Sequence, residues 1–441
     1  MRRTVFTVFL SLMAIVMQAQ NPITPEGVYG SDPAGHQWEK GGPVYLYTSR
    51  DEAPEYWCSH INDVLSSADM VHWDWHPAVL TSKGENDGVS YNDQLLYAPD
   101  CMRVGDTYYL YYCQSSDTEV EGVATSKSPT GPFRNGRWLE GATQIDPCAF
   151  IDTDGQPYLF YGQFAGKMYR LSKDMQHLVP GTFRDSIITE RDHHFHEGIQ
   201  VVHRDGWYYL VYADISRRGM PTCIGYSMSR HLEGPYEYKG VIIDNFGCDR
   251  NVWNNHGSIF EKDGQWYVAY HRSTAGGAMM RKPCVEPIHF NKDGTIPEVE
   301  MTTQGSAPPL NPFERMDAWR ACYLRGSAQI EQVSPGDEQL THIRHNSYAT
   351  FSYFRFGRVP RKVTVAVTPQ AGGRLDIFAK TLYAPLLGSF EIPAGDGQTE
   401  VTLTMDVPQD IDILGVHPLY LRFTGTQEDT DLFRLNWFKF E

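Results

Sequence analysis

The stretch TQIDPCAFIDTDGQPYLFYGQF, residues 143–164, contains the pattern that decides the fold. An apolar strand leads into an Asp-Gly turn, and a second strand rich in aromatic residues follows the turn. Asp-Gly between two alternating runs is a strong signal for a β-hairpin. The stretch therefore predicts two antiparallel strands, with Asp146 at the head of the first.

The second half of this hairpin occurs five times along the chain. The copies read GPVYLYTS at 42–49, GDTYYLYY at 105–112, DGQPYLFY at 154–161, DGWYYLVY at 205–212 and DGQWYVAY at 263–270. Units of roughly 50 residues with about four strands each are typical of a β-propeller. Helical periodicity is nearly absent, which disfavours an α/β fold. We therefore predict a five-bladed β-propeller over residues 21–303.

The composition of the sequence changes after the fifth copy of the hairpin. The segment MTTQGSAPPLNPFE, 301–314, is rich in turn-forming residues, and we predict a linker over 304–317. Short alternating strands resume beyond it and favour a β-sandwich of the jelly-roll type over 318–441. The predicted fold class is all-β in both domains.

Charge and the N-terminal sequence limit the classes of partner. The balance of 38 basic and 54 acidic residues gives a net charge of −16, which repels phosphate backbones, so no nucleic-acid partner is expected. Residues 1–20 join two arginines to a short apolar run, as in a secretory signal peptide. No cysteine follows closely to carry a lipid, and no later stretch approaches the ~20 apolar residues of a membrane span. We therefore expect a secreted or periplasmic protein.

Each predicted blade begins its inner strand with a polar or ionisable residue. In chain order these residues are Asp32, Asp100, Asp146, Glu197 and His256. Inner strands line the channel of a propeller, so the side chains should converge at one mouth. A lone carboxylate at a strand end is more often simply solvated. Several in the same register favour a site, because acid/base cleavage of a glycosidic bond needs one protonated and one ionised carboxyl group.

Several motifs, taken in order, resemble glycoside hydrolase family 43 over about residues 24–300. They are SDP near the first blade, YAPD with YYLYY, IDPCAFIDTDGQPYLFYG, EGIQVVHRDGWYYLVYA and NNHGSIFEKDGQWYVAYHR. The resemblance implies an inverting glycosidase of plant polysaccharides that needs no cofactor for its chemistry. It implies Asp32 as general base, Glu197 as general acid, and Asp146 as the aspartate that orients the base and tunes the pKa of the acid.

The resemblance also implies further residues of the pocket. His256 is expected to face the channel, where relatives place a bound cation or ordered waters, so a structural calcium ion is a possible ligand there. Arg281 matches an arginine that contacts substrate, although a surface arginine is the alternative. Tyr97 is expected to contact substrate in the aromatic shelf of the pocket, where tryptophan is usual.

Two aromatic or histidine positions are predicted from their own surroundings. Trp253 is a candidate to stack on a sugar ring, with core packing an equal alternative. In the run RDHHFHEG, His196 is expected to hydrogen-bond the substrate, because the spacing of the histidines does not suit metal ligation.

Residues from about 318 to 441 resemble carbohydrate-binding module family 6. The matching stretches include NSYATFSYFRFG, GGRLDIFAK and LFRLNWFKFE, whereas the turn GDGQTEVT lacks the tryptophan that often sandwiches a sugar. The match therefore predicts the fold of this module, and glycan binding by it stays open.

The expected activity is removal of terminal α-L-arabinofuranosyl residues by an exo-acting enzyme. Arabinose is chosen on the frequency of activities in the family, so β-D-xylosidase and β-D-galactofuranosidase are alternatives on the same scaffold. A glycan-binding propeller without activity is an alternative of a different class, and the presence of all three carboxylates disfavours it.

Overall fold

The computed structural model describes residues 17–18, 20–248, 254–274 and 277–441. Nearly all regular structure in these residues is β-strand, with one short helix at Glu190–His193 and one 3₁₀ turn at Ala318–Arg320. Most of the predicted signal peptide, residues 1–16 and 19, lies outside the described residues, so that prediction is not tested. In the part of the chain that is described, no helix has the length and apolar character to cross a membrane.

In the described part of the chain, five antiparallel sheets form the N-terminal β-propeller, one for each copy of the hairpin. The strands of the first two sheets are β1 (Met17–Gln18), β2 (Tyr29–Gln37), β3 (Val44–Asp51), β4 (Ile61–Ser67), β5 (His72–Thr81), β6 (Leu96–Val104), β7 (Thr107–Gln114), β8 (Glu121–Ser126) and β9 (Arg134–Trp138). The strands of the next three are β10 (Cys148–Ile151), β11 (Pro157–Tyr161), β12 (Lys167–Arg170), β13 (Phe195–Arg204), β14 (Trp207–Asp214), β15 (Cys223–Ser229), β16 (Glu237–Asp244), β17 (Ser258–Lys262), β18 (Gln265–Ser273) and β19 (Arg281–Ile288).

The Asp-Gly turns fix the register of two hairpins. Asp205 and Gly206 have φ of 52° and 73°, and Asp263 and Gly264 have φ of 52° and 94°. Both turns are two residues long, because the flanking residues pair directly with each other. Positive φ at both central residues is the condition of the type I′ turn, whose twist matches that of the strands.

The repeated aromatic residues fill the space between the sheets. Tyr112, Tyr161, Tyr212 and Tyr270 hold the same place in four copies, and all four are buried. A buried phenol needs a partner for its hydroxyl group. The Tyr212 hydroxyl donates to the His193 carbonyl at 2.7 Å, and that of Tyr270 donates to a buried carboxylate.

The innermost strands, β2, β6, β10, β13 and β17, form a closed ring around the channel. Hydrogen bonds between neighbouring sheets support the ring. They run from the Ala98 N–H to Ser49 Oγ (2.8 Å), from the Ala149 N–H to Asp100 Oδ2 (3.1 Å), from the Ile259 N–H to Gln200 Oε1 (2.8 Å) and from the Gly35 N–H to Ser258 Oγ (2.9 Å). The last of them joins the fifth sheet to the first.

Two sheets packed face to face form the C-terminal β-sandwich, as predicted. Its strands are β20 (Met316–Asp317), β21 (Tyr323–Arg325), β22 (Gln329–Ser334), β23 (Asp337–Thr341), β24 (Ser347–Phe356), β25 (Lys362–Pro369), β26 (Gly373–Ala379), β27 (Leu386–Ile392), β28 (Val401–Asp406), β29 (Gly415–Thr424) and β30 (Phe433–Phe440). One sheet has the order β21-β24-β29-β26-β27 and the other contains β22, β23, β30, β25 and β28, with β20 paired to β30. Phenylalanine rings from both sheets meet in the core between them.

The segment 304–317, predicted as a linker, is tied to the sandwich. The Leu310 N–H donates to the Tyr353 carbonyl at 2.8 Å, and the Gln304 N–H donates to the Ser352 carbonyl at 2.8 Å. Backbone hydrogen bonds therefore hold segment 304–317 against the sandwich.

Candidate active site

Four of the five ionisable residues predicted at the inner strands meet at one mouth of the channel. Asp32, Asp146, Glu197 and His256 line a cavity of about 240 Å³. The fifth, Asp100, lines the adjoining channel, where its Oδ1 lies 2.7 Å from His36 Nε2. These four side chains thus come from four different sheets.

Irregular backbone turns two of these carboxylates into the cavity. The pairing of β2 with β3 shifts register between Ser31 and Ala34, and that of β13 with β14 shifts on both sides of Glu197. A β-bulge of this kind re-aims a side chain without ending the strand. Asp32 and Asp146 also have positive φ, 55° and 67°, a conformation that costs about 1–3 kcal/mol for residues other than glycine. Strain of this kind is characteristic of functional sites.

Asp32 is held as a carboxylate. It is 6% exposed, and its Oδ2 accepts hydrogen bonds from Ser31 Oγ (3.0 Å) and Ser49 Oγ (2.8 Å). Its Oδ1 accepts from Arg281 Nη1 at 3.1 Å. Burial alone would raise its pKa, but the charge of Arg281 outweighs burial and holds the pKa well below the usual range. Asp32 is therefore ionised at neutral pH.

The pKa of Asp146 is shifted in the opposite direction. Asp146 is equally buried, and its N–H donates to Cys113 Sγ at 3.3 Å. Burial raises its pKa well above the usual range, and the negative charges of Glu197 and Asp32 raise it further. The two aspartates thus differ because one has an arginine beside it and the other has carboxylates.

Glu197 is more exposed than the two aspartates, and one of its oxygens already accepts a hydrogen bond. Gln163 Nε2 donates to Glu197 Oε2 at 2.8 Å. The next residue, Gly198, has φ of 71°, and a Cβ there would lie 2.7 Å from the His256 ring. Glycine is therefore required for the close approach of the His256 ring to the strand that carries Glu197.

His256 lies between the two aspartates. Its Nδ1 is 3.6 Å from Asp32 Oδ1 and 3.9 Å from Asp146 Oδ2. No group of three His, Cys, Asp or Glu side chains that could hold a metal ion occurs in the described ranges. The described residues therefore give no ligand set for the calcium ion expected beside His256.

Arg281 is buried against carboxylates of the first sheet. Its Nε and Nη2 donate to the two oxygens of Asp51 at 2.9 and 2.8 Å, and its backbone N–H donates to the same residue. Its Nη1 contacts Asp32, as described above, and it lines the cavity. The predicted contact with substrate stays a prediction, and the geometry adds a second task, which is to fix the Asp32 carboxylate.

Two of the three remaining predicted residues line the cavity. Tyr97 lines the cavity, half-buried. His196 also lines it, and its Nδ1 lies 2.7 Å from Glu190 Oε1. Trp253 lies outside the described residues, so its stacking role is not tested.

Several lining residues were not found by reasoning from the sequence. They are Trp57, Cys58, Ile145, Gln163, Asn254, Asn255 and His271. The ring of Trp57 lies 4.9 Å from the Arg281 guanidinium carbon, and His271 Nδ1 accepts the Asp32 N–H at 3.3 Å. Asn254 and Asn255 stand directly before His256, so the run NNH was the one available signal.

Comparison with known proteins agrees with this architecture. The model of Glycosyl hydrolases family 43 matches residues 19–296. The chain belongs to this family. The model of Carbohydrate binding module (family 6) matches residues 321–441, so both resemblances read from the motifs are confirmed. A family 43 enzyme is a glycosidase that acts on glycans and needs no cofactor for its chemistry.

Similar proteins align with nearly the whole length of this chain. A xylosidase/arabinosidase of Thermoclostridium stercorarium is 27% identical and aligns with 93% of this chain and 97% of its own. An arabinoxylan arabinofuranohydrolase of Bacillus subtilis is 27% identical and aligns with 93% and 90%. A crystal structure of a Bacillus subtilis arabinoxylan arabinofuranohydrolase with cellotetraose covers 96% of this chain and 99% of its own at a TM-score of 0.54 and 24% identity, which shows the shared fold.

Proposed function

We propose that this family 43 enzyme is an inverting, exo-acting α-L-arabinofuranosidase that removes terminal arabinofuranosyl residues from plant polysaccharides. The observation that carries the proposal is the convergence of Asp32, Asp146 and Glu197 in one small cavity, with opposite pKa shifts on the two aspartates. Groups whose surroundings drive their pKa values apart are the usual sign of acid/base roles.

Asp32 is suited to the role of general base. It is ionised, and two serine hydroxyls and Arg281 fix both of its oxygens. An ionised carboxylate can take a proton from water as that water attacks the anomeric carbon. Direct attack by water, without a covalent sugar–enzyme bond, inverts the configuration.

Glu197 is suited to the role of general acid. Because Gln163 donates to its Oε2, the transferable proton belongs on Oε1, from which it can pass to the leaving oxygen. Asp146 shares the cavity, and like charges crowded there oppose ionisation, since burial and the negative charges of Glu197 and Asp32 raise the pKa of Asp146.

The size of the cavity supports exo action. Pockets for drug-sized ligands have volumes of roughly 300–1,000 Å³. A cavity of about 240 Å³ therefore suits one terminal sugar ring better than a stretch of polymer. The names of the relatives support arabinose, and the word xylosidase in one of them keeps β-D-xylose as the second candidate.

The test is hydrolysis of three 4-nitrophenyl glycosides, the α-L-arabinofuranoside, the β-D-xyloside and the β-D-galactofuranoside. We expect release from the arabinofuranoside, lost in Asp32→Asn. Release from the xyloside alone would replace arabinose by xylose. Release that persists in Asp32→Asn would place the base elsewhere.

We also propose that the enzyme acts outside the cytoplasm, in the periplasm or the medium. The support is the sequence of residues 1–20, with two arginines before a short apolar run. Mass spectrometry of the exported protein should find an N-terminus near residue 21. An N-terminus that retains residues 1–20 would contradict this.

A further inference from the structure

Two active-site residues have immediate neighbours that point to the β-sandwich. His271 and Arg281 lie on β18 and β19 and face the cavity. Arg272 and Lys282, the next residues, are paired across the same two strands. Because successive side chains of a strand point to opposite faces, Arg272 and Lys282 point away from the cavity.

Lys282 forms a buried ion pair with the sandwich. Its Nζ lies 2.7 Å from Glu338 Oε2 on β23, and both side chains are 0% exposed. The same ammonium group donates to the Pro25 carbonyl at 2.7 Å and lies 4.6 Å from the ring centre of Trp319. Removing one partner of such a pair leaves an uncompensated buried charge, so the geometry of the pair is strongly enforced.

Glu338 also holds the strand that carries the base. Its Oε1 accepts the Tyr29 hydroxyl at 2.8 Å, and Tyr29 begins β2 three residues before Asp32. Arg272 ties β18 to the sandwich as well, because its Nη1 donates to the Ala321 carbonyl at 3.1 Å. Strands β2, β18 and β19, which carry Asp32, His271 and Arg281, are therefore all tied to the C-terminal domain.

The strands that carry Asp146 and Glu197 have no direct bonds of this kind within the described ranges. Asp146 and Glu197 lie at β10 and β13, and no hydrogen bond or ion pair joins these two strands to the sandwich within the described ranges. The sandwich does contact the loop that follows β16, where the Leu324 N–H donates to the Gly247 carbonyl at 2.8 Å. Its direct bonds to strands that carry cavity residues, within the described ranges, are therefore those to β2, β18 and β19.

We propose that the β-sandwich is a structural part of the catalytic site, in which Glu338 is a positioning residue that fixes Arg281 and Asp32 through Lys282 and Tyr29. The inference rests on the proposed function for the role of Asp32. The link is short, because one peptide unit separates Lys282 from Arg281, and misplacement of a catalytic group by about 1 Å can reduce the rate about a hundredfold.

The test is Glu338→Gln in the full chain, assayed below its melting temperature on 4-nitrophenyl α-L-arabinofuranoside and on an arabino-oligosaccharide. We expect kcat/KM to fall by about ten- to a hundredfold on both substrates alike, because loss of the base does not depend on the leaving group. We also expect the acidic limb of the pH profile to move up by about one unit, since Arg281 no longer stabilises ionised Asp32 fully.

The matched control is Tyr353→Phe, which removes another hydrogen bond between the domains, that to Glu300. It should leave both the rate and the acidic limb unchanged. If Glu338→Gln lowers only the melting temperature and leaves the acidic limb in place, the role of Glu338 is merely structural and the proposal is wrong. If Glu338→Gln does not fold, Glu338→Asp makes the same test, because it keeps the charge and withdraws the carboxylate by one methylene group.

A second readout separates this proposal from the proposed function. If the wild-type enzyme cleaves none of the glycosides, the proposed function fails, and the crystal structure of the Glu338 variant decides the present question. We expect the contact of Arg281 Nη1 with Asp32 Oδ1, 3.1 Å in the native protein, to open beyond about 4 Å. An unchanged contact overturns the proposal.

Discussion

Replacement of Arg281 by methionine should move the acidic limb of the pH profile without moving the alkaline limb. Arg281 is the nearest positive charge to Asp32, at 3.1 Å. At an effective dielectric constant of about 20, unit charges at this distance interact by about 5 kcal/mol. Relaxation and water entry reduce the effect, and an arginine beside an aspartate typically lowers its pKa by about 1–3 units.

The sign follows from which form of Asp32 is active. The base works when ionised, so activity is lost as the pH falls through its pKa. Arg281 lowers that pKa, and its removal raises it. We therefore expect the acidic limb of kcat/KM for Arg281→Met to lie about 1–3 units above that of the wild type.

The same change should destabilise the fold. Arg281 donates two side-chain hydrogen bonds to Asp51, which is buried, so its loss leaves unpaired charge in the interior. Breaking a buried pair from one side costs about 3–5 kcal/mol, to be measured by urea unfolding at pH 7. Asp32 adds a pH-dependent part, because its lowered pKa contributes stability that is present above its unfolded pKa and is lost as the pH falls towards its folded pKa.

The control is Arg50→Met. Arg50 makes a comparable two-bonded pair with Asp63, at 2.8 and 2.6 Å, on the same sheet but outside the cavity. It should lower stability and leave the pH profile unchanged. An acidic limb that stays in place in Arg281→Met, with activity still measurable, would refute the assignment of Asp32 as a base tuned by Arg281.

Three further variants test the other roles. Glu197→Gln should abolish turnover of natural glycosides but spare activity on substrates with very good leaving groups, which need no proton; equal loss on both would contradict its role as the acid. Asp32→Asn should lose activity on both kinds of substrate, measured in the same assay. Phe164 is 53% exposed and lies edge-on to His196, with ring centres 5.4 Å apart. Phe164→Ala should therefore raise KM for arabinose-substituted polymer about three- to tenfold. The control is Phe183→Ala, which removes a ring that is 40% exposed on the same blade and should leave KM unchanged.

The fold could be predicted because its signal is local and repeated. Each hairpin copy contains its own turn and its own alternating strand, so the prediction depended on five separate signals. At 205–206 and 263–264 the Asp-Gly turns have the φ values that the type I′ hairpin requires. The sandwich was likewise predicted from local alternation.

The carboxylates could be placed because the repeats give a common register. Once the blades are aligned, Asp32, Asp146 and Glu197 fall at equivalent places, and a closed ring brings them together. The bulges that aim Asp32 and Glu197 into the cavity have no sequence signal of their own, since any residue type can be the extra residue.

The partners of Arg281 could not be predicted from the sequence. Asp51 ends β3 and lies 230 residues away in the chain, so only the closed ring brings it to Arg281. The same holds for Glu338, whose contact with Lys282 joins two domains. Pattern reasoning detects residues that share an element, whereas these contacts depend on how separate elements pack.

The most direct measurement of the proposed mechanism is the configuration of the first sugar released. Proton NMR can follow the anomeric signals during hydrolysis of an α-L-arabinofuranoside, before the free sugar equilibrates. Attack by water activated by Asp32 predicts that the β-anomer appears first and the α-anomer accumulates later. If the α-anomer appears first, the reaction retains configuration, and the account of Asp32 as a base acting on water is wrong.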